Sequence, residues 1–510
     1  MSVYVCKTYF DCVERATNFV ARFPIALDEP VLVICEDKLT LSVETAIAEL
    51  TGGSFNVEVT SLGRYASKRL SERRYLSKEG AAMAVKKILT DIAPELTALK
   101  KAAASPSLAS ETGELIAQLK SAKIRPDELS AATDGLEGRS AAKIRDIAKI
   151  FAAYEEFLSS NGLTDSNNAL SDVSEAIACD EKLPCARVVF IGFSSITRQT
   201  ADAIDEITST AKSTDFFAVK GDNTDLYVNE FYDFVGKYDA SPKMLPSSVT
   251  PEGDRILSSL FDPSAFAKSG THTDKIHLYE ATDVSDEAEY VAARIRREVI
   301  ENGKRYRDIA IGAGDYSAYS LVLKRKLADY GIPFYSDEKT CLSELPISKL
   351  VDSLLRSKSG RGDLREIKNV LGNCLFISDR KISDAIIRAL TVSSSTYKTF
   401  IEGKFSVGEI FADAKISLLY TFLTKLGKTD TAKNYSAAIR AFLTAAGVDE
   451  NAKIAGDRLT AFASDDKAAL LSSEKEAFLA VLDETENVLG DTPLSLDAYR
   501  RILLAGEEAA

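Results

Sequence analysis

Short, unbroken apolar runs that alternate with amphipathic helical patterns constrain the fold of this chain most strongly. The run Pro30–Asp37 (PVLVICED) precedes a helical pattern over Thr40–Leu50, and the run Cys185–Phe193 (CARVVFIGF) precedes another over Thr197–Ile207. A strand that is apolar throughout is typical of a parallel sheet with helices on both faces. The sequence therefore predicts an α/β domain built on a parallel sheet.

The same alternation returns later in the chain, between two long helical stretches. Strand patterns occur at Gly53–Leu62 and Thr214–Lys220, and again, with helical patterns between them, at Lys275–Ala281, Asp308–Ala313 and Ile332–Tyr335. The periodicity is helical from about residue 76 to 161 and from about residue 346 to the end. We therefore predict two α/β segments, each followed or interrupted by helices.

These patterns predict five segments. They are a first α/β domain (1–75 and 180–225), a helical insertion (76–179), a connector rich in turn-forming residues (226–273), an incomplete second α/β domain (274–355) and a second helical insertion (356–510).

Composition excludes several classes of function. The net charge of −13 argues against a uniformly basic nucleic-acid surface, although a local basic groove remains compatible with it. Two histidines and seven scattered cysteines without a C-x-x-C pair predict no metal site. Reduced cysteines, no signal-peptide pattern and no membrane-spanning apolar run predict a cytoplasmic protein that does not contact membranes.

The dipeptide Lys7-Thr8 follows the first apolar run, as it does in phosphate-binding loops. Such a loop has the pattern G-x-x-x-x-G-K-[ST], because its backbone must wrap around a phosphate. No glycine lies among Val3, Tyr4, Val5 and Cys6. Taken alone, this dipeptide is a coincidence or the remnant of a nucleotide site.

Several stretches resemble the B subunit of bacterial AddAB (RexAB) helicase–nucleases, a relative of RecB-type superfamily 1 helicases. The resemblance runs in order over about residues 30–355. Its clearest parts are Cys35–Thr40 (CEDKLT), Gly52–Ala66 (GGSFNVEVTSLGRYA), Phe190–Ile204 (FIGFSSITRQTADAI), Glu280–Ile311 and Leu327–Asp337 (LADYGIPFYSD). The resemblance implies two RecA-like (P-loop NTPase-type) domains, each carrying a helical insertion.

The resemblance also implies a helicase-like half that is a relic, with ATP hydrolysed by a partner A subunit. Relatives carry Asp at the position of Ile191 and Arg at the position of Gly314. With these positions changed and the glycines missing, Lys7 and Thr8 are interpreted as vestigial nucleotide-binding residues. The partners implied are a single- or double-stranded DNA end and an AddA-type subunit.

The family's nuclease domain carries Mg²⁺-binding acids and four iron–sulfur cysteines. It is expected beyond residue 510, in a longer subunit of which this chain is a part. The alternative is a relative that is shorter than other family members. No cofactor is therefore predicted within the chain. ATP with Mg²⁺ and a 4Fe–4S cluster are expected only in the partner or in that further domain.

The stretch Arg64–Leu76 (RYASKRLSERRYL) is the main candidate for DNA contact. Basic residues interleaved with tyrosines can bind phosphates and stack on bases. The alternative is a solvated amphipathic helix, which charge runs usually are. The predicted DNA-binding residues in and next to this stretch are Ser61, Arg64, Tyr65, Lys68, Arg69 and Arg73.

Two further candidates follow apolar runs, at the strand ends where open α/β sheets bind ligands. Lys38 and Thr40 follow the run at Pro30–Asp37, and Phe193 and Ser194 follow the β-strand pattern VVFIG. Thr40 as a simple helix cap is the alternative.

The sequence thus predicts a non-catalytic, helicase-like DNA-binding scaffold in double-strand break repair. An active ATPase or helicase, part of an exonuclease, and a protein-interaction module without DNA contact are the alternatives.

Overall fold

The fold is described by a computed structural model. The structure describes residues 1–23, 29–53, 55–70, 75–165, 172–220, 230–253, 276–336, 340–358, 363–392, 396–401, 414–461 and 465–510. It forms two compact units. One unit combines residues 1–249 with 341–510, and the other comprises residues 250–340.

The first unit begins with a parallel sheet of six strands. These strands are β1 (Ser2–Cys6), β2 (Val31–Cys35), β3 (Val57–Thr60), β6 (Arg187–Ile191), β7 (Ser213–Val219) and β8 (Lys243–Met244). They lie in the order β3-β2-β6-β7-β1-β8, and every paired neighbour is parallel. The predicted α/β domain is confirmed as one parallel sheet in a Rossmann- or RecA-like layout.

Alternate residues of each central strand pack on opposite faces of the sheet. Leu32 and Ile34 join the core on one face, whereas Val33 and Cys35 join the core on the other. Helices cover both faces. The helices of this domain are α1 (Tyr9–Val20) and α2 (Thr40–Thr51) on one face, with α3 (Leu62–Arg69), α8 (Val173–Ala178), α9 (Arg198–Thr210) and α10 (Glu230–Val235) on the other. Apolar side chains buried on both faces explain the unbroken apolar runs.

The rest of the first unit consists of helices and four short strands. Its elements are β4 (Tyr75–Leu76), α4 (Lys78–Asp91), α5 (Pro106–Ser121), α6 (Pro126–Ala131), α7 (Arg139–Asn161), β5 (Thr164–Asp165), α13 (Pro346–Lys358), α14 (Leu364–Gly372), α15 (Arg380–Val392), α16 (Tyr397–Ile401), α17 (Ala414–Lys425), β9 (Thr429–Thr431), α18 (Ala432–Ala445), α19 (Val448–Ala461), α20 (Asp465–Leu489), β10 (Pro493–Ser495) and α21 (Leu496–Ala509). Two-stranded ladders pair β4 with β5 and β9 with β10.

The two helical stretches, predicted as separate insertions, share one apolar core. Met83 of α4 and Phe151 of α7 belong to the same buried cluster as Leu350 of α13 and Leu503 of α21. Helix α13, which the sequence analysis assigned to the second α/β domain, packs in this cluster because its residues Ile347, Leu350, Val351, Leu354 and Leu355 are buried. We call residues 76–165 and 341–510 the helical body.

The second unit contains α11 (Val284–Asn302) and α12 (Tyr316–Asp329), which pack around a small core that includes Ala292, Leu323 and Ile332. The three strands predicted here are not assigned in its described residues, 276–336. Leu278 is fully exposed. An apolar pattern defines no strand without a neighbouring strand to accept and donate backbone hydrogen bonds, so a second parallel sheet is not confirmed. Half of the predicted connector (226–273) lies outside the described ranges, and its described half, 230–253, contains α10 and β8.

Across the described ranges, no helix combines the length and hydrophobicity that crossing a membrane requires.

Candidate nucleic-acid interface

The carboxyl ends of the parallel strands meet at one edge of the sheet, and most sequence-predicted site residues lie there. Lys7 and Thr8 follow β1, Lys38 follows β2, Ser61 follows β3 and Ser194 follows β6. This edge is where open α/β sheets place their ligands, because strand ends and helix N-termini converge on it. We call it the carboxyl edge.

Only two residues connect β1 to α1, since the strand ends at Cys6 and the helix begins at Tyr9. The Thr8 hydroxyl caps α1 by accepting a hydrogen bond from the Asp11 backbone N–H at 3.1 Å. A phosphate-binding loop needs several glycine-rich residues between strand and helix to wrap the phosphate. The β1–α1 connection is too short to form one.

The first turn of α1 already holds a negative charge. The Asp11 carboxylate is buried and accepts hydrogen bonds from the Thr8 and Ser247 hydroxyls and from the Ser248 backbone and hydroxyl, at 2.6–2.9 Å. Burial alone would raise the pKa of Asp11, but these hydrogen bonds outweigh it and lower the pKa to about 2. A carboxylate in the first turn complements the positive N-terminal end of the helix dipole, where a phosphate would otherwise bind.

Four side chains connect the ends of β2 and β3. Asp37 accepts a hydrogen bond from the Ser61 hydroxyl at 2.8 Å and pairs with the Arg64 guanidinium at 3.0 Å. Arg64 also donates to the Thr40 hydroxyl at 3.4 Å. Ser61 caps α3, whereas Thr40 donates to the Asp37 carbonyl in the first turn of α2. This network holds the Arg64 guanidinium through its Nε and Nη1 atoms, while 64% of the side chain stays exposed.

Glu36 connects the ends of β2 and β6. It accepts hydrogen bonds from the Ser194 backbone at 2.6 Å and from the Ser194 hydroxyl, and it pairs with Lys38 at 2.7 Å. Burial raises the pKa of the Glu36 carboxyl, but the bonds from Lys38 and Ser194 prevail and lower it. Glu36 therefore stays charged and partly neutralises Lys38.

Two exposed cations, Lys38 and Arg64, line this part of the carboxyl edge, and a third, Lys68, lies one helical turn further along α3, beside Glu58 of β3. The side chains of Lys38 and Lys68 are each 69% exposed, and that of Arg64 is 64% exposed. Each pairs with one acid, namely Glu36, Asp37 or Glu58. Exposed ion pairs contribute little energy, so a phosphate can replace the acid at modest cost.

Tyr65 and Arg69, predicted to contact DNA, instead stabilise the domain. Tyr65 is completely buried and donates to Asp180 at 3.0 Å. Arg69 lies 3.8 Å over the Tyr65 ring and pairs with Asp180 at 2.5 Å and with Glu58 at 3.3 Å. Its side chain is only 15% exposed. Neither residue is open to a base or a phosphate, because the α3 face that carries them packs on the domain.

Phe193, a predicted DNA-binding residue at the end of β6, is also buried. Its ring is buried between Phe190 and Phe231, with ring centroids at 6.3 and 5.2 Å. Arg73 lies outside the described residues. Ile191 is fully buried at the end of β6.

Two apolar side chains at this edge were not predicted from the sequence. Phe10 and Leu41, in the first turns of α1 and α2, are 72% and 73% exposed. Their positions at the polar face of amphipathic helices, directly after strand ends, are the signal that could have identified them. Among the described residues, no cluster of histidine, cysteine, aspartate or glutamate is arranged to hold a metal ion.

A six-stranded parallel sheet with helices on both faces defines the class, an α/β domain of Rossmann- or RecA-like layout. Within this class the family model for the N-terminal part of AddB matches residues 23–232. The comparisons support an AddB-like protein.

The names of curated relatives describe the B subunit of an ATP-dependent helicase/deoxyribonuclease. The protein from Listeria innocua is 22% identical over 63% of this chain, and that from Pelotomaculum thermopropionicum is 26% identical over 64%. The protein from Clostridium novyi is 22% identical over 94% of the chain. The chain spans 30%, 31% and 45% of the length of these three relatives.

Proposed function

We propose that this chain is a non-catalytic, helicase-like segment of an AddB-type subunit that binds DNA at the carboxyl edge and acts as a scaffold in double-strand break repair. The observation that carries the proposal is the carboxyl edge itself. It combines exposed cations after β2 and within α3 with a β1–α1 connection that has no room for a phosphate loop.

DNA contact is supported by the placement of Lys38 and Arg64 at the carboxyl edge and of Lys68 one helical turn further along α3. Asp37 and Thr40 hold the Arg64 guanidinium in place, and Ser61 in turn donates to Asp37. Because Arg64 is already ordered and faces solvent, it loses little conformational entropy when it binds a phosphate. The acids beside the cations keep the net charge of the edge low. Affinity for DNA should therefore be modest in this chain alone.

The relatives' printed name, which describes one subunit of a helicase/deoxyribonuclease, supports a partner subunit and a DNA substrate for this chain. We propose an AddA-type partner, a single- or double-stranded DNA end as ligand, and the bacterial cytoplasm as the site of action. ATP with Mg²⁺ and a 4Fe–4S cluster belong to that partner or to a further domain in this proposal.

The proposal is tested by measuring DNA binding against salt. Each phosphate contact to single-stranded DNA changes the slope of log affinity against log salt by about 0.7. Replacing Lys38, Arg64 and Lys68 together by alanine should therefore flatten the slope by about two units. Fluorescence anisotropy of a labelled oligonucleotide at several salt concentrations measures it. The matched control replaces three exposed cations of the helical body, Lys101, Arg139 and Lys143.

An equal slope in the two triple variants would remove the carboxyl edge from the DNA path. No binding of DNA, with or without an AddA-type partner, would favour a protein-interaction module.

Weak or absent ATP binding is a second expected result. The Thr8 hydroxyl already caps α1, and Asp11 would repel a phosphate at the same helix end. Calorimetric titration with Mg-ATP should give no saturation at micromolar concentrations. Saturable micromolar binding with turnover that Lys7→Ala abolishes would instead support an active ATPase.

A further inference from the structure

A cavity of about 770 Å³ lies in the helical body, away from the sheet. Five helices and the turn after α14 enclose it, with Pro346 at the start of α13, Ile377 in the turn, Ala455 on α19, and Leu470 and Leu471 on α20 among its apolar walls. Cavities of this volume with mostly apolar walls and a few polar groups are typical of small-molecule sites.

One ionisable side chain at the wall of this cavity has no hydrogen-bond partner of normal geometry among the described residues. Glu474 is 2% exposed, and neither of its carboxyl oxygens has a partner of normal geometry among the described residues. Burial raises the pKa of Glu474 to about 7, although the backbone N–H of Ile347 in the first turn of α13 opposes this change. A buried acceptor without a donor is costly, so a residue kept there needs a ligand or a structural reason.

The outer part of the same cavity is positively charged. Arg380 has a side chain that is 90% exposed and pairs only loosely with Asp384, at 3.8 Å. Arg458, also exposed, donates to the Ser378 carbonyl at 2.6 Å. All of these residues line the cavity. The site therefore offers an acceptor at its buried end, apolar walls, and guanidinium groups near solvent.

We propose that this cavity binds a guanine base, with Glu474 accepting hydrogen bonds from the base's N1–H and 2-amino group and Arg380 and Arg458 contacting its 5′-phosphate. The base comes from a free nucleotide or from a single strand. This proposal does not depend on the carboxyl edge, because the cavity lies in a different part of the molecule.

Guanine fits better than other ligands of similar size. A carboxylate accepts two parallel hydrogen bonds from guanine, whereas adenine presents a single donor beside an acceptor on the same edge. An apolar amine would satisfy Glu474 but leave the two arginines without an anion. The cavity walls provide apolar contact for both faces of a planar base.

Calorimetric titration of the whole chain with dGMP, dIMP and dAMP tests the proposal. The base of dIMP lacks the 2-amino group, so we expect it to bind at least tenfold more weakly than dGMP, and dAMP more weakly still. Glu474→Gln should weaken dGMP binding at least tenfold. Arg380→Ala should weaken the binding of dGMP but leave the ratio of the affinities for dGMP and dIMP unchanged, because Arg380 contacts the phosphate alone.

The pH dependence gives a readout that a structural role would not change. The bound carboxylate is charged, so binding releases a proton wherever free Glu474 is protonated. Affinity for dGMP should rise up to tenfold per pH unit below about pH 7 and level off above it. Among the described residues, the other titratable or charged groups that line the cavity are Cys374, Arg380, Asp384 and Arg458. Glu474→Gln should remove the slope above the second pKa of the phosphate, about 6, whereas Asp384→Asn should keep it.

Alkylation of Cys374, which lines the cavity, gives an independent measurement. Saturating dGMP should slow modification of Cys374 and leave that of Cys341, which is also partly exposed, unchanged. Both rates can be read in one sample by peptide mass spectrometry.

Oligo-dT carrying one guanine or one hypoxanthine distinguishes the two sources of the base. Preference for guanine in the oligonucleotide without dGMP binding assigns the site to a single strand, and binding of dGMP alone assigns it to a free nucleotide. Equal affinity for guanine, hypoxanthine and adenine in both forms, or a guanine preference that survives Glu474→Gln, would overturn the proposal.

Discussion

Replacing Arg69 by alanine is expected to destabilise the sheet domain by about 3 kcal/mol rather than to weaken DNA contact. The substitution removes two ion pairs and the stacking over Tyr65, and it leaves Asp180, whose side chain is 8% exposed, without its cation. Removing one partner of a largely buried pair costs about 3–5 kcal/mol, and the remaining solvent access of Arg69 lowers this figure somewhat.

The matched control is Lys68→Ala on the same helix. Lys68 also pairs with Glu58, at 3.0 Å, but its side chain is 69% exposed. Exposed pairs are worth about 0–1 kcal/mol, so its unfolding midpoint in urea should barely change. Equal stability of the two variants, together with a flatter salt slope for Arg69→Ala, would return Arg69 to the DNA path.

Replacing Glu474 and Glu507 by glutamine is expected to stabilise the helical body at pH 8 by about 2–3 kcal/mol each. Both carboxyls are 2% exposed. Burial raises the pKa of Glu474 to about 7 and that of Glu507 to about 8, and Asp352 and Glu508 add to the effect at Glu507. One pKa unit corresponds to about 1.4 kcal/mol between the protonation states, and the buried glutamine amide offsets part of the gain.

The direction of the pH dependence follows from these raised pKa values. Between the unfolded pKa of 4.5 and the folded pKa of about 7 or 8, the folded chain binds more protons than the unfolded chain. The contribution of each group is therefore fully present below pH 4.5 and is lost as the pH rises through the folded value.

The free energy of unfolding of the helical body, measured in urea at several pH values from 5 to 9, tests this effect. The double glutamine variant should lose the decline in stability that the parent chain shows toward pH 8. If the stability of the parent chain rose steadily from pH 5 to 9 and the double glutamine variant lacked this rise, the raised pKa values of Glu474 and Glu507 would be contradicted. Glu474→Gln should also separate stability from ligand binding, because the variant should be more stable at pH 8 and yet bind dGMP more weakly.

The first sheet could be predicted from the sequence because its strands are buried on both faces. Val33 and Val189 pair in adjacent strands, and neither is exposed to solvent. Such strands must be apolar throughout, so the composition of a short run carries the information. The helical periodicity of α7 was equally clear, since its buried apolar residues lie on one face, whereas α4 is buried around most of its circumference.

The second α/β segment was predicted from the same kind of pattern, but its described residues contain α11, α12 and most of α13, and no assigned strand. Pairing of strands depends on partners that a local pattern does not reveal. The shared core of the helical body was missed for a related reason. Contacts such as that of Ser77 with Glu484, 407 residues apart, leave no local signal in the sequence.

At the candidate site, the chain positions were predicted better than the roles. Lys38, Arg64 and Ser194 do lie at the carboxyl edge, because strand ends fix where the following residues go. Tyr65 and Arg69 were assigned to DNA because a basic and aromatic run does not show which side chains have intramolecular partners. Their partner Asp180 lies 111 residues from Arg69.

Photo-cross-linking tests the central claim, DNA contact at the carboxyl edge, most directly. A single strand of thymidine with bromodeoxyuridine at successive positions contains no guanine, so it avoids the proposed cavity. We predict cross-links to peptides that contain residues 36–41 and 61–68, and their loss when Lys38, Arg64 and Lys68 are replaced by alanine. Cross-links confined to the helical body, or unchanged in that variant, would contradict the account.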